Sequence, residues 1–87
     1  MSLRVLVVED EAEIRELLRS ALGVEGFDVR TAVSVSEARA LLRHAAFDVM
    51  LLDLGLPDGD GIELVRELRR DSNTPVLVVS AREQEAE

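Results

Sequence analysis

Four acidic or hydroxyl residues follow apolar runs of this sequence, where a parallel sheet would end its strands. They are Glu9 and Asp10 after a first run, Asp53 after a second, and Ser80 after a third. Ligands of open α/β sheets bind beyond the carboxyl ends of the strands, so we expect these side chains to share one crevice. Because a Gly- and Pro-rich loop follows Asp53, we take that acid as the candidate reactive residue.

Three carboxylates in one crevice repel each other, and one of them would be pushed towards protonation. A hard divalent cation removes that repulsion. Mg²⁺ prefers oxygen ligands, keeps several waters and typically uses one or two carboxylates together with a phosphate. We therefore expect Asp10 and Asp53 to bind Mg²⁺ directly and Glu9 to bind it directly or through water. A backbone carbonyl of the loop 54–56 could complete the ligand set.

The same acids could form an aspartyl phosphate, since a carboxylate can attack phosphorus. A metal would neutralise the charge that develops on the transferring oxygens, and the Ser80 hydroxyl could hydrogen-bond a phosphoryl oxygen on Asp53. The competing interpretation is that the acids only cap helices and turns. The acids occur at two strand ends and a hydroxyl occurs at a third, which favours a reactive site over simple capping. Acids at residues 9–11 would repel a bare phosphate, which disfavours a nucleotide or flavin site.

Apolar runs alternate with helical patterns along the whole chain. Strands are predicted at residues 3–8, 27–31, 48–52 and 76–79, with helices from about residue 12, from a Ser34–Glu37 capping box, and after Asp58 or Asp60. This alternation predicts βαβ units, right-handed crossovers and a parallel sheet. The second strand alternates polar and apolar residues, so we place it at an edge, in the order 2-1-3-4.

The composition describes one globular domain with an aliphatic core: 87 residues, 47% hydrophobic and 32% charged. A net charge of −8 argues against binding nucleic acid or an anionic membrane. The chain has no cysteine, no apolar segment near the roughly 20 residues of a membrane span, and no signal-peptide pattern. We therefore expect a cytoplasmic protein. His44 and the helix arginines, Arg15 included, are expected on solvated faces.

Three segments resemble the receiver domain of two-component response regulators. They are VLVVEDE at residues 5–11, LLDLGLPDGDG at 51–61 and PVLVVSA at 75–81, in the order and spacing of that family. The resemblance implies an α/β fold with a flavodoxin-like parallel sheet. It also implies that Asp53 accepts a phosphoryl group from a sensor histidine kinase and that Ser80 is the switch hydroxyl. It implies Mg²⁺ held by Asp10, Asp53 and the Gly55 carbonyl, with Glu9 nearby.

The loop LGLPDGDG is most similar to regulators with a winged-helix output domain, which implies transcription regulation in a full-length protein. The family has five βα units, so residues 1–87 are expected to be a receiver domain lacking the last helix, strand and helix. A lysine that contacts the phosphoryl group would then be missing. The fourth strand would become an exposed apolar edge, which favours self-association. We expect a phosphoacceptor and not a stand-alone enzyme; an inert, self-associating interaction module is the alternative.

Overall fold

A computed structural model describes residues 2–79 of the chain. The strands are β1 (Arg4–Val8), β2 (Asp28–Ala32), β3 (Val49–Leu52) and β4 (Val76–Val78). The helices are α1 (Ala12–Val24), α2 (Val35–His44) and α3 (Gly61–Asp71). Each predicted strand and helix is present. No strand end differs from its predicted position by more than one residue.

The four strands form one sheet in the order β2-β1-β3-β4, and every neighbouring pair is parallel. The predicted order and direction are therefore confirmed. Val8 lies opposite both Ala32 and Leu52, so the strands end level with one another. This register brings the residues that follow β1 and β3 to the same edge of the sheet.

The core has two layers because helices cover both faces of the sheet. The larger cluster lies on the face covered by α2 and α3, and its strand residues are Leu6, Val8, Ala32, Met50 and Leu52. On the opposite face, Val5, Val7 and Leu51 pack beneath Leu18 and Leu22 of α1. Burial on both faces explains why β1 and β3 are continuously apolar and do not alternate.

The starts of α2 and α3 are capped by side chains, whereas Glu11 at the start of α1 makes no side-chain cap hydrogen bond. Ser34 Oγ accepts a hydrogen bond from Glu37 N at 3.1 Å, as the capping box predicts. The Glu37 carboxylate accepts from Val33 N at 3.0 Å, one residue before the expected partner. Asp60 caps α3 by accepting from Ile62 N at 2.9 Å. The alternative cap predicted for α3, Asp58, is wrong, because Asp58 contacts the start of α2 instead.

Strand β4 lies at one edge of the sheet and is poorly covered. Leu77 is 57% exposed and Val78 is 55% exposed, and among the strands of the described residues β4 pairs with β3 alone. The sequence analysis expected an exposed apolar edge at this strand, and the exposure of Leu77 and Val78 confirms it. β2 forms the other edge, where its half-buried alternation is confirmed. Within residues 2–79, no helix is long and apolar enough to cross a membrane.

Candidate functional site

The acidic site lies where β1 and β3 end. Glu9, Asp10 and Asp53 each offer a carboxylate oxygen, and these oxygens lie within 4.8 Å of one another. Glu9 is 2% exposed and Asp53 is 1% exposed, whereas Asp10 is only partly buried. The strand pairing continues into the site, because Asp53 N donates to Val8 O at 3.0 Å. The structure therefore brings together the three acids that the sequence placed in one crevice.

The two buried carboxylates are oriented by backbone groups of the loops that follow them. Glu9 accepts a hydrogen bond from Glu11 N at 3.0 Å, and Asp53 Oδ1 accepts one from Gly55 N at 3.0 Å. Each bond turns the loop back over its own acid and fixes the direction of the side chain. Hydrogen bonds to a carboxylate are charge-assisted, so they favour its ionised form.

Burial is the main cause that raises the pKa of the Glu9 carboxyl above its ordinary value. The Glu11 N–H opposes that shift, while the Asp53 carboxyl, by hydrogen bonding and by charge, and the charge of Asp10 add to it. Buried carboxylates are stable when they are paired or coordinate a cation. A cluster of three such oxygen donors therefore fits the requirements of a hard divalent cation.

The loop between β3 and α3 forms one wall of the site. Leu56 is buried in the larger core cluster, and Gly55 is exposed at the rim beside Asp53. Gly61 permits the loop to pack closely, because a Cβ there would lie 3.0 Å from Leu54 Cδ2. The N–H of Gly55 is thus held beside Asp53 by a loop that is anchored at both sides.

Arg15 is a site neighbour that the sequence prediction missed. Its Nη1 donates to Glu9 O at 3.1 Å and to Asp10 O at 3.3 Å, so the guanidinium holds the β1–α1 loop. The expectation of a solvated face is wrong for this residue. Its place in the first turn of α1, within reach of the preceding loop, was the available signal. His44 is exposed as expected.

Asp58 is the second residue whose role was missed. Its Oδ1 accepts from Val35 N at 2.8 Å and its Oδ2 accepts from Ser36 N at 3.1 Å. These two N–H groups lower the pKa of Asp58 below its ordinary value. Ser80, the predicted switch hydroxyl, lies outside the described residues.

Comparison with known proteins identifies the family. A family model for the response regulator receiver domain matches residues 5–87. The KDP operon transcriptional regulatory protein KdpE of Escherichia coli (strain K12) is 51% identical over 85 residues, covering 95% of this chain and 37% of the relative. Transcriptional regulatory protein ResD of Bacillus subtilis (strain 168) is 42% identical over 83 residues, covering 95% of this chain and 35% of that protein.

Solved structures show the same architecture. The chemotaxis response regulator CheY4 of Vibrio cholerae matches with a TM-score of 0.86 and 34% identity, over 90% of this chain and 68% of that one. The non-phosphorylated HemR receiver domain from Leptospira biflexa also has a TM-score of 0.86, with 35% identity over 97% of this chain and 68% of that chain.

The chain belongs to the response regulator receiver domain family. It has the flavodoxin-like α/β fold of that family and is a receiver domain of a two-component response regulator. Similar proteins include transcriptional regulators, and the chain spans 37% of the length of KdpE and 35% of the length of ResD.

The raised pKa of Glu9 gives a prediction for stability. An acid with a higher pKa in the folded chain binds its proton more tightly when folded, so its contribution to the free energy of unfolding falls as pH rises through that range. Glu9→Gln keeps an acceptor for Glu11 N and removes the charge. Without divalent cations, the stability of Glu9→Gln relative to the wild type should therefore increase from about pH 4.5 to pH 7.5.

Urea unfolding in EDTA measures this difference, and Glu67→Gln is the control with the opposite sign. Arg39 donates two hydrogen bonds of 2.8 Å to Glu67 and lowers its pKa. That pair stabilises the fold above the unfolded pKa and is lost as pH falls, so Glu67→Gln should lose stability relative to the wild type as pH rises. If the free energy of unfolding of Glu9→Gln relative to the wild type stays constant or falls as pH rises, the electrostatic explanation is wrong.

Proposed function

We propose that Asp53 accepts a phosphoryl group from the phosphohistidine of a sensor histidine kinase. The observation that carries this proposal is the position of Asp53: a buried acid at the end of β3, within 4.8 Å of two more carboxylates. Burial and mutual repulsion disfavour the charged forms of these acids, so their clustering costs the fold stability and favours a role in chemistry. Family membership supplies independent support.

In the transfer, the P–N bond of phosphohistidine breaks and a P–O bond forms to a carboxylate oxygen of Asp53. The histidine ring leaves with the electron pair and takes up a proton. Asp53 must be ionised to act as the nucleophile, and the Gly55 N–H, 3.0 Å from Oδ1, favours that form. The same hydrogen bond fixes the direction in which the carboxylate points.

We also propose that Asp10, Asp53 and the Gly55 carbonyl hold Mg²⁺, with Glu9 nearby or acting through water. When bound, the ion neutralises negative charge on the transferring phosphoryl oxygens. The protein residues supply the rest of the arrangement: strand pairing sets the separation of the acids, Arg15 fixes the first loop, and Leu56 anchors the second. Ser80 is the proposed switch hydroxyl that contacts the phosphoryl group.

The module would act in the cytoplasm as a switch and not as a stand-alone enzyme. Phosphorylation changes local charge at the sheet edge and biases a surface that a partner reads. The similarity to KdpE and ResD, both named as transcriptional regulatory proteins, supports regulation of transcription through an output domain. The net charge of −8 argues against nucleic-acid binding by this chain itself.

Phosphorylation by acetyl phosphate tests the proposed acceptor. In the presence of Mg²⁺, intact-protein mass spectrometry should show the addition of one phosphoryl group, because a small phosphodonor can replace the kinase. Asp53→Asn should abolish the addition, and EDTA should prevent it in the wild type. Asp60→Asn, which changes another acid of the same loop, should remain phosphorylated. An unmodified wild type would instead support the alternative of an inert interaction module.

We further propose that β4 pairs with β4 of a second copy. Val79 N donates to Leu52 O at 3.0 Å, and successive N–H groups of a strand point in opposite directions. The N–H of Val78 therefore faces the outer edge of β4, beside side chains that are more than half exposed. An exposed apolar edge strand is a template for pairing with another chain.

Sedimentation velocity over a range of concentrations tests this pairing. The wild type should form dimers, and Val78→Pro should sediment as a monomer, because proline removes the outward N–H and is tolerated at edge strands. Val78→Thr keeps the N–H and the β-branched shape, so it should still dimerise. A monomeric wild type, or dimers that persist in Val78→Pro, would exclude pairing through β4.

A further inference from the structure

The loop that follows Asp53 is fastened to a helix from another part of the chain. Asp58 lies in the β3–α3 loop, yet its carboxylate accepts hydrogen bonds from Val35 N at 2.8 Å and Ser36 N at 3.1 Å. The first N–H groups of a helix have no partner within the helix and carry a partial positive charge. An ionised aspartate is the side chain best suited to bind them.

The contact extends beyond these two hydrogen bonds. The backbone of Gly59 lies against Val35, and a Cβ at Gly59 would come within 3.3 Å of Val35 Cγ2. Val35 is itself buried in the larger core cluster, 3% exposed. The loop therefore meets a buried part of α2, and its contact through Asp58 and Gly59 ties it to the core.

The chain between the acceptor and this contact is short. Asp53 is fixed by its bond to Val8 O, and Asp58 is fixed by α2, with only four residues between them. Gly55 is the second of those four, and its N–H already binds Asp53. Fixing both ends of a short loop removes backbone freedom from the residues between them.

We propose that Asp58 is a positioning residue: by capping α2, it holds the Gly55 carbonyl and Asp53 in the geometry that binds Mg²⁺. This inference rests on the proposed function of the acidic site. It assigns no contact between Asp58 and the metal or the phosphoryl group. Its effect passes through the backbone of residues 54–57, in the way that outer residues orient the ligands of other metal sites.

Two simpler roles predict different results. If Asp58 only stabilises α2, then removing another cap of that helix should have the same effect on the site. Ser34 provides that control, because Ser34 Oγ caps α2 from within by accepting from Glu37 N. If Asp58 acts only through its negative charge, then neutralising Asp60 on the same loop should have the same effect. Asp60 caps α3, the helix that follows it.

The test compares Mg²⁺ affinity in Asp58→Ala, Asp58→Asn, Ser34→Ala and Asp60→Asn. Affinity is measured from amide chemical shifts of residues 9–11 and 53–55 during an MgCl₂ titration, a readout that needs no phosphorylation. Asp58→Ala should raise the Kd on the order of 10-fold, the lower end of what loss of an outer-shell partner costs. Asp58→Asn keeps one acceptor and should be intermediate, while Ser34→Ala and Asp60→Asn should stay within about 2-fold of the wild type.

Phosphorylation by acetyl phosphate then separates two ways of failing. Asp58→Ala should be slow at low Mg²⁺ and approach the wild-type rate at saturating Mg²⁺, because its defect is in metal binding. If the wild type neither binds Mg²⁺ nor is phosphorylated, the proposed function fails. If the wild type does both and Asp58→Ala matches Ser34→Ala in Kd, the positioning role is wrong. If Asp58→Ala does not fold, the Kd of Asp58→Asn for Mg²⁺ is compared with that of Asp60→Asn. Equal values would show that the positioning role is wrong.

Discussion

Parallel pairing of β1 with β3 forces three carboxylates into a space where they repel one another. Val8 and Leu52 are register partners, so the acids that follow them cannot separate without breaking the pairing. Two unit charges 4 Å apart repel by roughly 4 kcal/mol at the effective dielectric of a protein surface. The apolar core beneath the sheet holds this register in place. A proton or a cation relieves the repulsion; burial is the main cause that raises the pKa of Glu9, and the charges of Asp53 and Asp10 add to it.

The loops around the acids maintain this crowded arrangement from both sides. Arg15 holds the backbone of the β1–α1 loop, while Leu56 and Asp58 hold the β3–α3 loop. All three act on backbone or core and leave the acidic side chains directed into the crevice. The site is therefore built largely before any ligand arrives, and a preorganised site binds its ligand with less loss of conformational freedom.

Much of the fold followed from hydrophobic periodicity. Continuous apolar runs predicted β1 and β3 as strands buried on both faces, and the alternation in β2 placed that strand at an edge. The common register of the strand ends then brought Glu9, Asp10 and Asp53 together, as the sequence predicted. Capping chemistry identified the start of α2 from Ser34 and Glu37.

The missed features depend on tertiary neighbours. Local rules assign Asp58 to the next helix, but Asp60 already occupies that cap, and the partner of Asp58 lies 23 residues earlier in the chain. Arg15 belongs to an amphipathic helix whose pattern predicts a solvated face, and only the fold places its guanidinium over the β1–α1 loop.

We propose that the three carboxylates form a divalent-cation site, and equilibrium unfolding at increasing Mg²⁺ concentration measures whether they do. A ligand that binds only the folded chain raises the free energy of unfolding by about 2.7 kcal/mol at 100 times its Kd. The free energy of unfolding of the wild type should rise in this way, Asp10→Asn should show no rise, and Asp71→Asn should behave like the wild type. No rise in the wild type, or an equal rise in Asp10→Asn, would contradict the proposal.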